Sequence, residues 1–165
     1  MLADPDGAPV RFADLAADPL VVVLVRYFGC LPCQSYVAEV DAARDRFPEG
    51  TSVVAIGGSA DYQARWLRDE HGVSTPIYLD PDQQVRALAE VGDLTVRQLL
   101  SPTGAASYVR SLRQGLRPQR ITKDTVRAPG VAIFGPDLAL RWRHEGDKLG
   151  DYPTVDELVE RAGQR

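Results

Sequence analysis

The fold of this chain is decided by residues 20–33, which read LVVVLVRYFGCLPC. The run from Leu20 to Val25 is apolar and mainly β-branched, which is typical of a central strand buried on both faces. Shortly after it come Cys30 and Cys33, separated by two residues, and then apolar residues at helical spacing. The stretch therefore predicts a strand that leads through a C-x-x-C pair into a helix.

The segments that follow complete a strand–helix–strand unit. Helical spacing continues to Phe47, where Pro48 and Gly50 are stop signals, and residues 51–56 form a second buried strand. Two such strands joined by a helix predict a parallel pair with a right-handed crossover. The C-x-x-C pair then lies where the first strand meets its helix.

Further elements follow along the chain. They are helices over 61–70, 81–92 and 154–162, a strand over 76–79, and a hairpin of 130–134 with 138–142. In this sheet the strand 130–134 runs antiparallel to the first. The last helix opens with a capping box, Thr154 and Glu157. We therefore predict an α/β fold in which a central mixed sheet is flanked by helices, in a single domain over residues 1–165.

One segment differs in charge from the rest of the chain. Residues 93–128 carry seven basic and two acidic side chains, a net +5, which leaves −9 for the remainder of a chain whose total is −4. Its apolar residues indicate one or two short amphipathic helices inserted before the hairpin. The basic insert is then either a solvated helical insert or a cationic rim that attracts anionic substrates.

Composition narrows the class of protein. The chain has 165 residues and a pI near 5.2, which argues against a dedicated nucleic-acid binder. Its longest apolar run is too short to span a bilayer, and residues 1–6 do not resemble a signal peptide. We therefore expect a cytoplasmic protein, and 17 arginines against two lysines are typical of a GC-rich bacterial genome.

The two cysteines predict thiol redox chemistry. A bridge across two residues constrains the unfolded chain weakly, and the sequence has no second cysteine pair for zinc, so we expect neither a metal nor another cofactor. A thiol at a helix N-terminus faces free N–H groups and the positive end of the helix dipole, which lower the pKa of the thiol. Arg26 either adds positive charge there or caps the strand edge.

Two residues near the hairpin are further candidates. Pro129 precedes the strand 130–134 and should lie at the same end of the sheet as the C-x-x-C pair, where it is either a turn proline or part of the site. His144, on the partner strand, should return to that end. Its role is either structural, through hydrogen bonds, or proton transfer.

The chain resembles the peroxiredoxin-like proteins of the thioredoxin-fold superfamily, the alkyl hydroperoxide reductase/thiol-specific antioxidant type, in their CxxC-containing branch. The resemblance is carried by residues 23–33, 53–57, 76–82 and the tail 129–153. It implies a thioredoxin-like fold with a helical insert before the C-terminal hairpin. Where that branch has an arginine after the second cysteine, this chain has Gln34.

The resemblance implies a thiol-dependent peroxidase that cycles between the Cys30–Cys33 dithiol and its disulfide. In the thioredoxin register Cys30 attacks first, and in the peroxiredoxin register Cys33 attacks and Cys30 resolves. Two other functions compete: a thiol–disulfide oxidoreductase acting on a protein or small-molecule disulfide, and a non-catalytic redox sensor or binding module. The expected partners are a peroxide or disulfide substrate and an external thiol or thioredoxin-like reductant, with no nucleic acid and no membrane. A homodimer is one compatible assembly.

Overall fold

A seven-stranded mixed sheet forms the centre of the computed structural model, which describes residues 1–58, 60–99, 101–113, 116–121 and 125–164. The strand order is β2-β1-β5-β4-β3-β6-β7, with β3, β4 and β5 parallel and the other pairs antiparallel. The strands are β1 Leu2–Ala3, β2 Pro9–Val10, β3 Leu20–Leu24, β4 Ser52–Gly57, β5 Ile77–Leu79, β6 Gly130–Phe134 and β7 Leu140–Glu145. The helices are α1 Leu31–Ala42, α2 Asp61–Asp69, α3 Gln84–Leu88, α4 Val96–Leu99, α5 Pro102–Arg113 and α6 Val155–Gly163.

Strand β3 is buried on both faces, as its uninterrupted apolar run predicts. Val21 and Val23 join a core cluster that includes residues of α1, α2 and α6, whereas Val22 and Leu24 join a second cluster that includes residues of α3. Each cluster lies on one face of the sheet, because successive side chains of a strand point in opposite directions. This burial fixes the carboxyl end of β3, from which the C-x-x-C pair follows.

The first helix ends earlier than its apolar spacing predicts. Helix α1 stops at Ala42 and is followed by a 3-10 turn over Arg44–Arg46. Phe47 is extended, at φ −71° and ψ 151°. A residue that precedes proline avoids the helical region, and Pro48 therefore excludes Phe47 from the helix.

Left-handed residues shift two other elements. We predicted a helix that opens at Asp80–Pro81, but α3 begins at Gln84 because Gln83 is left-handed, at φ 56°. The Asp80 carboxylate still accepts hydrogen bonds from the first N–H groups of the helix, those of Gln84 and Val85. Strand β7 likewise begins at 140 rather than 138, because Leu138, at φ 60°, belongs to the turn.

The basic insert holds α4 and α5 and returns to the body at its base. There Asp93 and Arg127 form an isolated antiparallel bridge and an ion pair whose N–O distance is 2.8 Å. From that base the insert runs along the carboxyl end of β3, where the C-x-x-C pair lies. Within the described ranges, no helix has both the length and the apolar character needed to cross a membrane.

Candidate functional site

The two thiols lie at the N-terminus of α1. Cys30 is the N-cap residue and is extended, at φ −76° and ψ 116°, while Cys33 lies in the first turn behind Leu31 and Pro32. The first turn leaves N–H groups without helical partners, so a proline is tolerated there and a negative charge is favoured. Both cysteines are free and 0% exposed. Solvent therefore does not distinguish one thiol from the other.

The groups around the two thiols give them different pKa values. Burial opposes ionisation of Cys33, but hydrogen bonds from Cys30 and Tyr152 and the charge of Arg26 outweigh it and lower the pKa of Cys33 to about 6. Burial raises the pKa of Cys30 well above its usual value, and Cys33 raises it further. Near neutral pH this arrangement favours a Cys33 thiolate that accepts a hydrogen bond from the Cys30 thiol.

Tyr152 reaches the pair from the segment before α6. Its hydroxyl contacts the Cys33 sulfur and lies 3.3 Å from the carbonyl oxygen of Leu24, the last residue of β3. The Tyr152 ring stacks on the Tyr36 ring of α1, with centroids 4.2 Å apart and planes 5° from parallel. This stacking holds the hydroxyl beside the sulfur. No sequence pattern singles out Tyr152, because its contact with Cys33 joins segments far apart in the chain.

Arg26 lies against the other thiol. Its Nη1 is 3.6 Å from the Cys30 sulfur, and its remaining nitrogens donate to the carbonyl oxygens of Thr125 and Arg127, at the end of the basic insert. The side chain is buried, so its positive charge is poorly screened by water. Of the two roles weighed from the sequence, the geometry favours the positive charge beside the thiols.

A second buried arginine lies at the same end of the sheet. Arg86 of α3 donates to the carbonyl oxygens of Val25 at 2.8 Å and Ala128 at 2.6 Å. No carboxylate pairs with it among the described residues, and burial lowers its pKa. An arginine remains protonated in proteins, so Arg86 adds a second positive charge near the Cys33 thiolate.

The basic insert covers the pair. Tyr108 of α5 hydrogen-bonds through its hydroxyl to Tyr27, close to Cys30. On the other side, the N–H of Gly29 donates to Oε1 of Gln63, whose Nε2 donates to the carbonyl oxygen of Arg120. Together with Arg26, these contacts join the insert to the residues that precede Cys30.

Open space borders the cover without reaching the sulfurs. A groove of about 170 Å³ runs between α1 and α5 and is lined by Pro32, Tyr36, Ser107 and Tyr152, among others. A larger cavity of about 580 Å³ lies at the other end of α1, around Asp41 and Ser74. The groove, unlike the larger cavity, is lined by a residue that lies between the two cysteines, Pro32.

Gln34 does not replace the arginine that the CxxC-containing branch carries after its second cysteine. It is fully buried, and its Nε2 donates at 2.9 Å to the carbonyl oxygen of Phe28. Positive charge reaches the thiols instead from Arg26, on the strand side of the pair. A guanidinium group therefore lies beside the thiols although position 34 is not an arginine.

The structure places Pro129 and His144 as the antiparallel hairpin predicts, at the sheet end that carries the C-x-x-C pair. Pro129 precedes Gly130, which pairs with Leu24, and its carbonyl oxygen accepts from the N–H of Gly146 at 2.8 Å. His144 Nε2 lies 3.2 Å from the carbonyl oxygen of Asp151, and no described hydrogen bond links it to either thiol. This geometry favours a turn proline and a structural histidine.

Within the described ranges, no group of three His, Cys, Asp or Glu side chains is placed to hold an ion. The site thus consists of two thiols, two buried guanidinium groups and a tyrosine hydroxyl. Such a set can stabilise one thiolate and can form and break a disulfide.

The sequence is similar to a known family and to a known protein. The AhpC/TSA family matches residues 1–142. Peroxiredoxin-like 2C of Bos taurus is 24% identical over 174 aligned residues, which cover 97% of this chain and 75% of that protein.

Solved structures show the same fold. Peroxiredoxin Q of Xanthomonas campestris has a TM-score of 0.67 at 11% identity, covering 98% of this chain and 87% of its own. A secreted disulfide oxidoreductase of Mycobacterium tuberculosis has a TM-score of 0.58 at 15% identity, and the match covers 97% of this chain and 91% of that chain. At such identities the likeness shows the fold alone, which is thioredoxin-like, as predicted. The family match, in contrast, spans most of the sequence, and the chain therefore belongs to the AhpC/TSA family, the peroxiredoxin-like proteins of the thioredoxin fold.

Proposed function

We propose that this protein is a thiol-dependent peroxidase in which Cys33 attacks the peroxide and Cys30 resolves the product. The observation that carries the proposal is the asymmetry of the contacts in the buried pair: the Cys33 sulfur accepts hydrogen bonds from Cys30 and Tyr152, which lower its pKa, whereas burial raises the pKa of Cys30. The thiolate is the nucleophilic form of cysteine. Membership of the AhpC/TSA family supports the same chemistry.

The reaction begins at the Cys33 sulfur. The thiolate attacks one peroxide oxygen, so an S–O bond forms while the O–O bond breaks, and the departing alkoxide takes the proton of the neighbouring Cys30 thiol. The products are a Cys33 sulfenic acid, an alcohol and a Cys30 thiolate. Arg26, 3.6 Å from the Cys30 sulfur, stabilises the negative charge that this proton transfer leaves there.

Resolution closes the disulfide. The Cys30 thiolate attacks the Cys33 sulfur, the S–S bond forms, the S–O bond breaks, and the hydroxide that leaves is protonated to water. Two electrons have then passed from the dithiol to the peroxide. An external thiol or a thioredoxin-like dithiol returns them. The two cysteines lie in one helical turn, so the bridge needs only local rearrangement of α1.

The test follows free thiols by stopped flow after equimolar hydrogen peroxide, an organic hydroperoxide or a small disulfide is added to pre-reduced protein. We expect loss of both thiols within seconds on a peroxide. Cys30→Ser should still consume one equivalent of peroxide and retain a sulfenic acid, whereas Cys33→Ser should react slowly. Fast attack by Cys33→Ser would reverse the assignment of the two thiols.

A thiol–disulfide oxidoreductase is the second candidate, because a C-x-x-C pair at a helix N-terminus also suits disulfide exchange. Sluggish reaction with every peroxide and rapid exchange with the disulfide would favour it. A redox sensor would instead change partner binding on oxidation with negligible turnover. We further propose that residues 1–165 act as one domain in the cytoplasm.

A further inference from the structure

Most of the surface arginines of this protein fall into two groups. Outside the basic insert, seven of them pair with carboxylates: Arg11, Arg46, Arg65, Arg68, Arg141, Arg143 and Arg161. Within the insert, four exposed arginines make no ion pair with any described residue: Arg97, Arg113, Arg117 and Arg120. Positive charge that the protein does not neutralise is therefore concentrated in the insert.

Exposed apolar side chains are concentrated in the same segment. The insert makes up 36 of 165 residues, yet it holds five of the eight large hydrophobic side chains that are exposed among the described residues. The five are Val96 (73% exposed), Val109 (50%), Leu112 (50%), Ile121 (70%) and Val126 (41%). Apolar groups interleaved with unpaired arginines are typical of a protein interface rather than of a surface that only contacts water.

This surface borders the thiols. Ile121 follows Arg120, whose carbonyl oxygen is tied through Gln63 to Gly29, the residue before Cys30. Val126 lies between the two residues whose carbonyl oxygens accept from Arg26. A molecule that binds here would touch the backbone that encloses the C-x-x-C pair.

We propose that exposed residues of the basic insert, Val109, Leu112, Arg113, Arg117 and Ile121, dock an acidic protein that carries its own dithiol and reduces the Cys30–Cys33 disulfide. The inference rests on the proposed function, because it names the electron donor of that cycle. The net +5 of the insert attracts a negatively charged surface. The apolar side chains supply contact area once the two surfaces meet.

A second copy of this chain fits the surface less well. Each copy carries −4 overall, so two copies repel at long range. An insert that bound the acidic body of another copy would make a head-to-tail contact, which extends into rings or filaments unless its rotation closes. A separate acidic protein also meets the long-range repulsion of the −4 charge, but it carries no insert of its own and therefore forms a closed one-to-one contact.

The electron transfer is a pair of thiol–disulfide exchanges. A donor thiolate attacks one sulfur of the Cys30–Cys33 bridge, giving a mixed disulfide and one free thiolate on this protein. The second donor thiol then attacks the mixed disulfide, so the donor leaves oxidised and this protein regains both thiols after protonation. Since both sulfurs are buried, the docked donor must also displace part of the insert.

The experiment measures reduction of the disulfide by an acidic thioredoxin and, separately, by dithiothreitol. The disulfide is formed with diamide, so the measurement does not depend on peroxidase activity. We expect Arg113→Glu to slow reduction by the thioredoxin about fivefold and Arg113→Glu/Arg117→Glu at least about tenfold, because reversed charges repel the acidic partner. Reduction by dithiothreitol and the reaction with peroxide should not change.

Arg44→Glu is the matched control. Arg44 is exposed, pairs with none of the described carboxylates, and donates instead to Ser74 near the far end of α1. It should leave the thioredoxin rate within about twofold of the original, and raised salt should slow reduction of the original protein and of Arg44→Glu alike, because both retain the basic insert. Leu112→Ser tests the apolar part of the surface, and we expect it to slow the same rate with no change in its salt dependence.

Several results would overturn the proposal. It would be contradicted if the thioredoxin did not reduce the unaltered protein, or if it reduced the Arg113 and Arg44 variants at equal rates. It would also be contradicted if Arg113→Glu slowed reduction by dithiothreitol as well. A dimer that Arg113→Glu dissociates would assign the surface to a second copy instead. Failure of the peroxide reaction with normal docking would contradict the peroxidase and leave the docking surface supported.

Discussion

The hydroxyl of Tyr152 helps to decide which sulfur carries the negative charge. It contacts the Cys33 sulfur and is among the groups that lower the pKa of that thiol. We expect Tyr152→Phe to raise the pKa of Cys33, because the thiolate loses a hydrogen-bond donor. The rate of thiol loss on peroxide should be half-maximal near pH 6 in the unaltered protein, level off above it and decline in acid, and this midpoint should move upward in the variant.

Tyr36→Phe is the control for that change. Tyr36 stacks on Tyr152, but its own buried hydroxyl has no hydrogen-bond partner among the described residues. Its removal should therefore leave the midpoint where it was. A midpoint that moved equally in both variants would show that ring packing, rather than the Tyr152 hydroxyl, sets the charge on Cys33.

Helices α1 and α5 meet where Gly150 passes between them. A Cβ at this position would lie 2.8 Å from Pro32, between the cysteines, and 2.8 Å from Ser107 of α5. We expect Gly150→Ala to destabilise the protein by about 1–3 kcal/mol and to separate the helices, because overpacking forces neighbours apart. The thiols should then react faster with iodoacetamide, as followed by mass spectrometry.

The matched control is Gly72→Ala. Gly72 has nearly the same left-handed backbone, φ 66° against 71° for Gly150, but nothing lies within 4 Å of its added Cβ. The two variants share the backbone strain and differ in the contact. If Gly72→Ala accelerated alkylation as much as Gly150→Ala, the separation of α1 from α5 would not explain the exposure of the thiols.

The central sheet extends to the first residues of the chain. Leu2 is 2% exposed and belongs to the core cluster on the α3 face, although β1 is only two residues long. We expect Leu2→Ala to lower the free energy of unfolding by about 2–5 kcal/mol, measured by urea denaturation. Leu88→Ala, at a side chain 57% exposed, should change it by less than about 0.5 kcal/mol. Equal losses would mean that β1 does not contribute to the core.

The sequence predicts what depends on local pattern. The apolar run of β3, the cysteines at the start of α1 and the Thr154 cap of α6 are all confirmed, and the Thr154 hydroxyl accepts from the N–H of Glu157 at 3.2 Å. Strands β1 and β2 were missed, because two residues are too few for any periodicity. Left-handed Gln83 gives no signal either, since its conformation is favoured by the surrounding structure rather than by its residue type.

Local sequence pattern likewise predicts only part of the candidate site. Cys30, Cys33 and Arg26 lie within eight residues of one another, so the strand–helix junction brings them together. Tyr152 and Arg86 reach the thiols from segments distant in the chain, and no spacing within the sequence reports such contacts. Gln34 shows the converse, because a charge expected at one position is supplied by Arg26 from another element.

The burial of both thiols has a kinetic consequence. A sulfur with no exposed surface reacts only while the cover is open, so each encounter with peroxide competes with closing of the cover. At low peroxide concentration the observed rate then rises in proportion to concentration. At high concentration the observed rate reaches a ceiling equal to the opening rate. The motion of the cover, and not the peroxide concentration, then determines how fast the thiols are oxidised.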